Sequence, residues 1–355
     1  MRRPGRPVQP RQLSIDIWYP ARPPKAARRA RYAEALPTEA GGWARFTIAG
    51  TAYRNAAPLG GRYPLVVVSH GYSNAPAEMS WLTENLASKG YVVAAIRHDD
   101  PPITDSARFV GPLHDRPLDI AVAVHALALA HDVDAERTAL IGYSMGGYGV
   151  LTAAGARLDP DGIAGKLLAG EALMPVAVKA VIAIAPAGGG ALRAWGNDGL
   201  SRLSAPLLLI AGTADRVVDY SNGARAIFAG AVAAPRYLLT FKGAGHAIGL
   251  GAAPPGMRST LWDQDWFEDP VWRKDRLNAV TLHVVTAFLD RFVKNDATRT
   301  AYLDVAVPDA DTAVWPAPPA AAYDAFGTGT GASPGWKGFR RNHAVGLMLE
   351  HAEAR

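Results

Sequence analysis

A serine, an aspartate and a histidine in this sequence have the order and surroundings that acyl-transfer chemistry requires. Ser144 lies in Gly-Tyr-Ser-Met-Gly, residues 142–146, between two apolar segments. A serine hydroxyl becomes a nucleophile when a histidine takes its proton, and a carboxylate must orient that histidine. Asp215 and His246 follow Ser144 in the chain. The three residues therefore predict a nucleophile, Ser144, with His246 as base and Asp215 as orienting acid.

The G-x-S-x-G pattern around Ser144 is typical of a sharp turn from a strand into a helix. Glycines are needed on both sides of the serine because larger side chains would collide with neighbouring structure. Such a turn lifts the hydroxyl above the sheet and directs the N–H of Met145 at a developing oxyanion. A purely structural glycine turn is the alternative, and the strand before and the helix after Ser144 favour the nucleophile.

Tyr72 is the candidate for the second oxyanion donor. It follows His70-Gly71 in "VVVSHGYSNAP", directly after an early apolar strand, where a backbone N–H is expected to contribute to an oxyanion hole. We interpret His70 as a structural hydrogen-bonding residue under this loop. Asp219 remains the alternative to Asp215, because both follow the apolar run "PLLLIAG".

We expect neither a metal nor a cofactor. The sequence "RHDD" at 97–100 combines a histidine with two carboxylates, but adjacent residues of an extended chain point in opposite directions. A hydrogen-bond network between loops is the expectation there. The absence of cysteine excludes disulfides, thiolate metal sites and a cysteine nucleophile. Asp119 is interpreted as a partner of the helix dipole in the first turn of a helix.

The elements that must position these residues alternate along the chain. Short apolar runs without period-2 alternation predict strands that are buried on both faces, at 65–71, 92–100, 138–144, 177–186 and 206–215. Helical patterns lie between them, at 77–89, 117–131, 145–157, 221–230 and 275–293. Residues 12–20 do alternate and predict an antiparallel edge strand. The fold class is therefore α/β: a doubly wound, mostly parallel sheet with helices on both faces.

The predicted organisation is a basic arm at 1–11, an α/β domain at 12–300 and a C-terminal segment at 301–355 that wraps the surface. Two lid-like insertions interrupt the domain, at 158–176 and 251–274. The second contains four aromatic residues, Trp262, Trp266, Phe267 and Trp272. Such density is consistent with a lid over a cleft and equally with a packed cluster that anchors a loop.

Charge and hydropathy restrict the class of partner. Residues 1–33 carry nine lysines and arginines against one aspartate, so the basic charge belongs to the N-terminal segment. No nucleic-acid-binding module accompanies it, and no apolar run is long enough to span a bilayer. We therefore expect a soluble protein without a nucleic-acid partner. The N-terminus lacks the apolar core of a signal peptide, which makes the cytoplasm the default, with a mature secreted form as the alternative.

These motifs resemble those of the α/β-hydrolase superfamily. "RYPLVVVSHGYSN", "RPLDI", "GYSMGG", "GTADRVVD" and "GAGHAIG" are similar to segments of bacterial dienelactone-hydrolase-like and platelet-activating-factor-acetylhydrolase-like esterases. The oxyanion tyrosine after a glycine, at Tyr72, also resembles cutinase-like polyester hydrolases. The resemblance implies a cofactor-free serine esterase that acts on a small-molecule or lipid-like ester, without stable membrane insertion.

Several other activities are compatible with the same residues. An acyltransferase or perhydrolase would use the same triad, and phospholipase A2-like or polyester hydrolase activity would differ in substrate. A binding protein on an inactive hydrolase scaffold is disfavoured, because all three triad residues are present in the required order. The oligomeric state does not follow from the sequence.

Overall fold

The computed structural model describes residues 12–23, 28–103, 105–171, 173, 175–313, 335–339 and 343–355, so the predicted arm at 1–11 lies outside it. The strands are β1 (Ser14–Trp18), β2 (Ala21–Arg22), β3 (Arg29–Pro37), β4 (Trp43–Tyr53), β5 (Ala57–Pro58), β6 (Tyr63–Ser69), β7 (Val92–Arg97), β8 (Val133–Tyr143), β9 (Ala180–Ile184), β10 (Leu207–Gly212), β11 (Arg236–Phe241) and β12 (Leu347–Ala352). The α-helices are α1 (Ser80–Ser88), α2 (Gly111–Leu127), α3 (Met145–Ala153), α4 (Ile163–Leu167), α5 (Ala226–Gly230), α6 (Leu261–Asp265) and α7 (Lys274–Phe292).

Shorter helical turns connect these elements. The 3₁₀ turns are Pro76–Met79, Ser106–Arg108, Gly190–Leu192, Gly199–Arg202, His246–Gly249, Pro255–Met257 and Ala297–Tyr302, and Tyr220–Arg225 forms a π-helical turn. In the described ranges, no helix combines the length and the apolar character needed to cross a bilayer.

Eight of the described strands form one sheet in the order β1-β7-β6-β8-β9-β10-β11-β12. The strands from β7 to β11 in this order pair in parallel, whereas β1 and β12 pair antiparallel at the two edges. The predicted doubly wound, mostly parallel sheet is confirmed. The alternation of residues 12–20 also predicted the antiparallel edge strand β1 correctly.

Helices cover the sheet on both faces, which explains why its strands are continuously apolar. Along β6, Val66 and Val68 point into a core shared with α1 and α7, while Leu65 and Val67 point into a core shared with α2 and α3. These four side chains are removed from water, and each contributes about 1.5–3 kcal/mol to folding. The carboxyl ends of the parallel strands remain free to carry the loops of a site.

The interpretation of Asp119 as a first-turn residue was wrong. Helix α2 begins at Gly111 and not near Pro117, because Pro112 occupies the first turn, where proline is well tolerated. Asp119 therefore lies in the middle of the helix, where its carboxylate meets the His98 ring instead of the helix dipole.

Several regular features were absent from the prediction. Strands β3 and β4 pair antiparallel as a separate two-stranded sheet. In the C-terminal segment, for which no strand was predicted, β12 pairs antiparallel with β11 and closes one edge of the main sheet. Trp336 of the same segment is buried and donates its indole N–H to the carbonyl of Val307 at 2.8 Å.

Candidate active site

Ser144 stands on a strained turn between β8 and α3. Its backbone has φ 52° and ψ −116°, a conformation that non-glycine residues rarely adopt. A side chain at Gly142 would place its Cβ 2.2 Å from the carbonyl oxygen of Gly146, and one at Gly146 would lie 2.0 Å from that of Ser69. Both glycines of the G-x-S-x-G pattern are therefore required by close backbone contacts.

Hydrogen bonds from neighbouring strands hold this strained turn. The N–H of Ser144 donates to the carbonyl of Ile184 at 2.9 Å, and its own carbonyl accepts from Ala187 at 2.9 Å. These bonds tie the turn to the end of β9 and the loop that follows it. The conformation is thus imposed by the sheet and does not depend on the serine side chain, which is left available for chemistry.

The structure brings Ser144, His246 and Asp215 into one hydrogen-bonded chain. The distance from Ser144 Oγ to His246 Nε2 is 3.0 Å, and from His246 Nδ1 to Asp215 Oδ2 it is 2.8 Å. An ionised carboxylate accepts hydrogen bonds only, so Nδ1 carries the proton and Nε2 is left to accept the proton of the serine hydroxyl. This is the arrangement in which imidazole acts as a general base.

Asp215 is held ionised by the hydrogen bonds it accepts. Burial alone raises the pKa of its carboxyl, but the bond from His246 and those from the N–H groups of Val217 and Val218 outweigh this, and the pKa is lowered overall. Asp219, the alternative acid, instead accepts the N–H of Asn222 at 2.7 Å and caps the turn that follows. The structure therefore places Asp215, and not Asp219, against the histidine.

Tyr72 and Met145, the predicted oxyanion donors, lie at the cleft that Ser144 lines. Both residues line the same cleft as Ser144 and His246. Met145 is the first residue of α3, so its N–H has no acceptor within the helix. Within the described part of the chain, no hydrogen bond uses either N–H. Tyr72 and Met145 therefore each bring a backbone N–H without an acceptor in the described part of the chain to the cleft that Ser144 lines.

The cleft above Ser144 has a volume of about 790 Å³ and mainly apolar walls. The rings of Tyr72 and Phe109 in its lining meet edge to face, with centroids 5.1 Å apart. Trp262 and Trp266, which also line the cleft, are paired with centroids 5.8 Å apart. A substrate in the cleft would therefore meet two pairs of aromatic rings.

The aromatic residues of 251–274 divide between the two roles left open by the sequence. Trp262 lies in α6, and Trp266 directly follows this helix. Both residues line the cleft. Phe267 packs edge to face against Phe46 in the core, and Trp272 packs in the same way on Phe241. The segment is thus an anchored wall of the cleft. The 158–176 insertion contributes none of its described residues to the cleft lining.

Residues 41–262 match the family described as PET hydrolase-like. The match covers more than half of the chain and includes Tyr72, Ser144, Asp215 and His246. The chain belongs to the PET hydrolase-like family. Its α/β-hydrolase fold, expected from the resemblance of the motifs, is confirmed by this membership together with the sheet order.

Bacterial cutinases are similar to a shorter part of this PET hydrolase-like chain. Over 97 residues, or 27% of the chain, it is 34% identical to Cutinase est2 of Thermobifida alba, Cutinase 2 of Thermobifida cellulosilytica and Cutinase cut1 of Thermobifida fusca. These stretches cover 32%, 36% and 30% of the three relatives, so the chain spans about a third of the length of the curated relatives it matches. The cutinase-like features of the sequence are confirmed by this similarity.

A second chain of serine, histidine and aspartate lies behind residues 70–74 of this PET hydrolase-like protein, the loop that carries Tyr72 (the oxyanion loop, named for its predicted role). Ser69 Oγ is 2.9 Å from His98 Nε2, and His98 Nδ1 is 2.8 Å from Asp119 Oδ2. All three side chains are buried, and none lines the cleft. The "RHDD" segment therefore takes part in a hydrogen-bond network, as expected. No group of three or more potential metal ligands occurs among the residues that the structure describes.

His70 has the structural role that its position predicted. Its Nδ1 donates to the carbonyl of Gly71 at 2.7 Å, and its Nε2 accepts the N–H of His98 at 3.2 Å. Both ring nitrogens are thereby used in the neutral form. Burial, together with the nearby Arg116 charge, lowers the pKa of His70 well below its usual value, which keeps the ring neutral.

Several residues that support the site were missed by the sequence analysis. Tyr143 donates its hydroxyl to the carbonyl of His246 at 3.1 Å, and Lys274 donates to that of Ala247 at 2.9 Å. Burial lowers the pKa of Lys274 to about 8. Glu78 accepts from Asn74 at 2.6 Å below the oxyanion loop. None of these contacts leaves a local sequence signal, because each joins residues whose proximity is created only by folding.

Proposed function

We propose that this protein is a serine hydrolase that cleaves carboxylic esters through an acyl-enzyme. The observation that carries the proposal is the chain Ser144–His246–Asp215, with 3.0 and 2.8 Å contacts, opening into a cleft beside two available backbone N–H groups. Membership of the PET hydrolase-like family supports it.

In the first half of the reaction, Ser144 Oγ attacks the ester carbonyl carbon while its proton passes to His246 Nε2. The carbonyl oxygen becomes an oxyanion, which accepts hydrogen bonds from the N–H groups of Tyr72 and Met145. Collapse of this intermediate breaks the bond to the alcohol, and the imidazolium returns its proton to the leaving oxygen. Asp215 stabilises the imidazolium and remains ionised throughout.

In the second half, water attacks the acyl carbon and gives a proton to His246. The second tetrahedral intermediate is stabilised by the same two N–H groups. Its collapse releases the acid and restores the Ser144 hydroxyl. Water is the acceptor proposed here; an alcohol or peroxide in its place would give the acyltransferase or perhydrolase alternatives.

A polyester hydrolase is the second candidate within the same chemistry. The matching family is described as PET hydrolase-like, and the similar relatives are cutinases. The two aromatic pairs that line the cleft, Tyr72 with Phe109 and Trp262 with Trp266, favour a substrate with flat apolar groups. Release of soluble products from an aromatic polyester film, compared with an aliphatic one, tests this candidate.

Replacing Ser144 with alanine tests the proposed mechanism. We expect Ser144→Ala to lower kcat on a short p-nitrophenyl ester on the order of 10⁶-fold and to abolish labelling by a fluorophosphonate. Asp215→Asn and Asp219→Asn form a matched pair: the first should lower kcat on the order of 10⁴-fold, whereas the second should lower it less than tenfold because Asp219 does not contact His246. Substantial turnover by Ser144→Ala would contradict the proposal.

A further inference from the structure

Arg116 of α2 lies directly behind the oxyanion loop and has no part in the proposed chemistry. Its side chain is completely buried, with 0% exposure. One guanidinium nitrogen donates to the carbonyl of His70 at 2.5 Å, and the other donates to that of Gly71 at 3.1 Å. The second nitrogen also pairs with the Asp100 carboxylate. A buried cation thus binds two successive carbonyl groups immediately before Tyr72.

Peptide geometry converts this contact into an orientation for the oxyanion donor. The carbonyl of Gly71 and the N–H of Tyr72 belong to the same planar trans peptide unit, so they point in opposite directions. The Gly71 carbonyl accepts hydrogen bonds from Arg116 and from His70 Nδ1, and both of these side chains are buried. The N–H of Tyr72 must therefore point away from Arg116, which does not line the cleft, whereas Tyr72 and Ser144 do.

Asp100 extends the same constraint to the residue after Tyr72. Its carboxylate accepts the N–H of Ser73 at 3.0 Å and also pairs with Arg116. Ser73 itself is in the left-handed region, with φ 57°, so its conformation needs such support. The peptide units on both sides of Tyr72 are consequently tied to one buried ion pair.

We propose that Arg116 is a positioning residue that presents the N–H of Tyr72 to the oxyanion, with Asp100 orienting its guanidinium. The inference rests on the proposed ester hydrolysis, because it assigns the origin of one oxyanion donor in that reaction. Lysine cannot substitute for Arg116, since a single ammonium lacks the planar fork that reaches both carbonyls and the carboxylate together.

Arg236 offers a matched control for a purely structural role. It is also buried, on β11, and it donates to the carbonyls of Phe228 at 2.7 Å and Glu353 at 2.9 Å. Its contacts involve neither the oxyanion loop nor the cleft. Arg236→Lys therefore makes the same chemical change in the same kind of environment, and any general effect of disturbing a buried guanidinium should appear in both variants.

The experiment compares Arg116→Lys with Arg236→Lys on a short p-nitrophenyl ester, with rates expressed per site titrated by a fluorophosphonate. We expect Arg116→Lys to lower kcat about 10²-fold, the usual effect of losing one oxyanion donor, while KM changes less than threefold. Affinity for an alkyl trifluoromethyl ketone, whose adduct with Ser144 carries an oxyanion, should fall by a similar factor. Arg236→Lys should keep kcat and this affinity within twofold of wild type.

Other outcomes overturn the inference. An unchanged kcat in Arg116→Lys, a rise in KM alone, or equal losses in both lysine variants would each show that Arg116 does not act on the oxyanion donor. If Arg116→Lys does not fold, Asp100→Asn decides: we expect about a tenfold loss of kcat and of ketone affinity, and wild-type values would overturn the inference. Wild-type protein without turnover or fluorophosphonate labelling would instead refute the proposed function, and this inference with it.

Discussion

At the scale of single residues, the backbone decides which of two similar carboxylates serves the histidine. Asp215 uses Oδ1 to accept the N–H groups of Val217 and Val218, which leaves Oδ2 directed at His246. Asp219 has the same side chain four positions later, but it accepts the N–H of Asn222 instead. Sequence order made both residues candidates, and the turn after β10 distinguishes them.

Glu78 shows the opposite case, a carboxyl that burial keeps protonated. It is buried beneath the loop that carries Tyr72 and accepts hydrogen bonds from Asn74 and the N–H of Ala75. Burial raises its pKa to about 8, because these two bonds do not compensate for the loss of water. The folded protein thus binds a proton at Glu78 that the unfolded chain, with an ordinary carboxyl, has already lost above about pH 4.5.

This difference predicts a pH-dependent stability. Between about pH 4.5 and pH 8 the folded state holds more protons at Glu78 than the unfolded state, so the free energy of unfolding should fall as the pH rises. Glu78→Gln removes this titration, and its stability relative to wild type should increase through that range, by at most about 1.4 kcal/mol per pH unit. Urea unfolding at pH 5 to 9 measures this, with the exposed Glu136→Gln as control. A difference independent of pH would contradict the assignment.

At the scale of elements, the short helix α6 determines one wall of the cleft. The core contacts of Phe267 and Trp272 hold the segment after α6 in place. Trp262 is 39% exposed and meets Trp266 at the cleft, so its ring is available to a substrate. A fixed wall with an accessible ring is expected to act on substrate selection and not on the chemical step.

Trp262→Ala should therefore change selectivity between esters. We expect kcat/KM for p-nitrophenyl benzoate to fall about three- to tenfold relative to p-nitrophenyl acetate, because one aromatic contact contributes about 0.5–1.5 kcal/mol. Trp43→Ala is the matched control, since Trp43 is exposed on β4 and does not line the cleft. An equal loss for both esters would indicate that Trp262 does not contact the acyl group.

Elements were predictable where burial leaves a strong local pattern. Strands such as β6 and β10 are buried on both faces and read as continuous apolar runs. Strand β3 was missed because alanines and arginines alternate with few large apolar residues. Strand β12 was missed because it is a strand only through its pairing with β11, which lies more than a hundred residues earlier in the chain. The proximity of Ser144, His246 and Asp215 was predictable because each follows a strand of the sheet, whereas the contacts of Arg116 and Glu78 exist only after folding.

At the scale of the whole molecule, the site is assembled from widely separated segments at the carboxyl ends of the parallel strands. Tyr72 follows β6, Ser144 follows β8, Asp215 follows β10 and His246 follows β11. Because the four strands run parallel, their carboxyl ends lie on the same side of the molecule. Strand β12 lies outside this group, and none of its residues lines the cleft. Stability and chemistry should therefore be separable at β12.

Leu349→Ala tests this separation. Leu349 is buried on β12, whereas its neighbour Met348 is half-buried on the opposite face, so Met348→Ala is a matched control in the same strand. We expect Leu349→Ala to lower the free energy of unfolding by about 2–4 kcal/mol and Met348→Ala by considerably less. Well below the unfolding transition, kcat per titrated site should stay within twofold of wild type in both, since the parallel strands that carry the triad are intact. A large loss of kcat in folded Leu349→Ala would mean that β12 also positions the loop that carries His246. This loop directly follows β11, the strand with which β12 pairs.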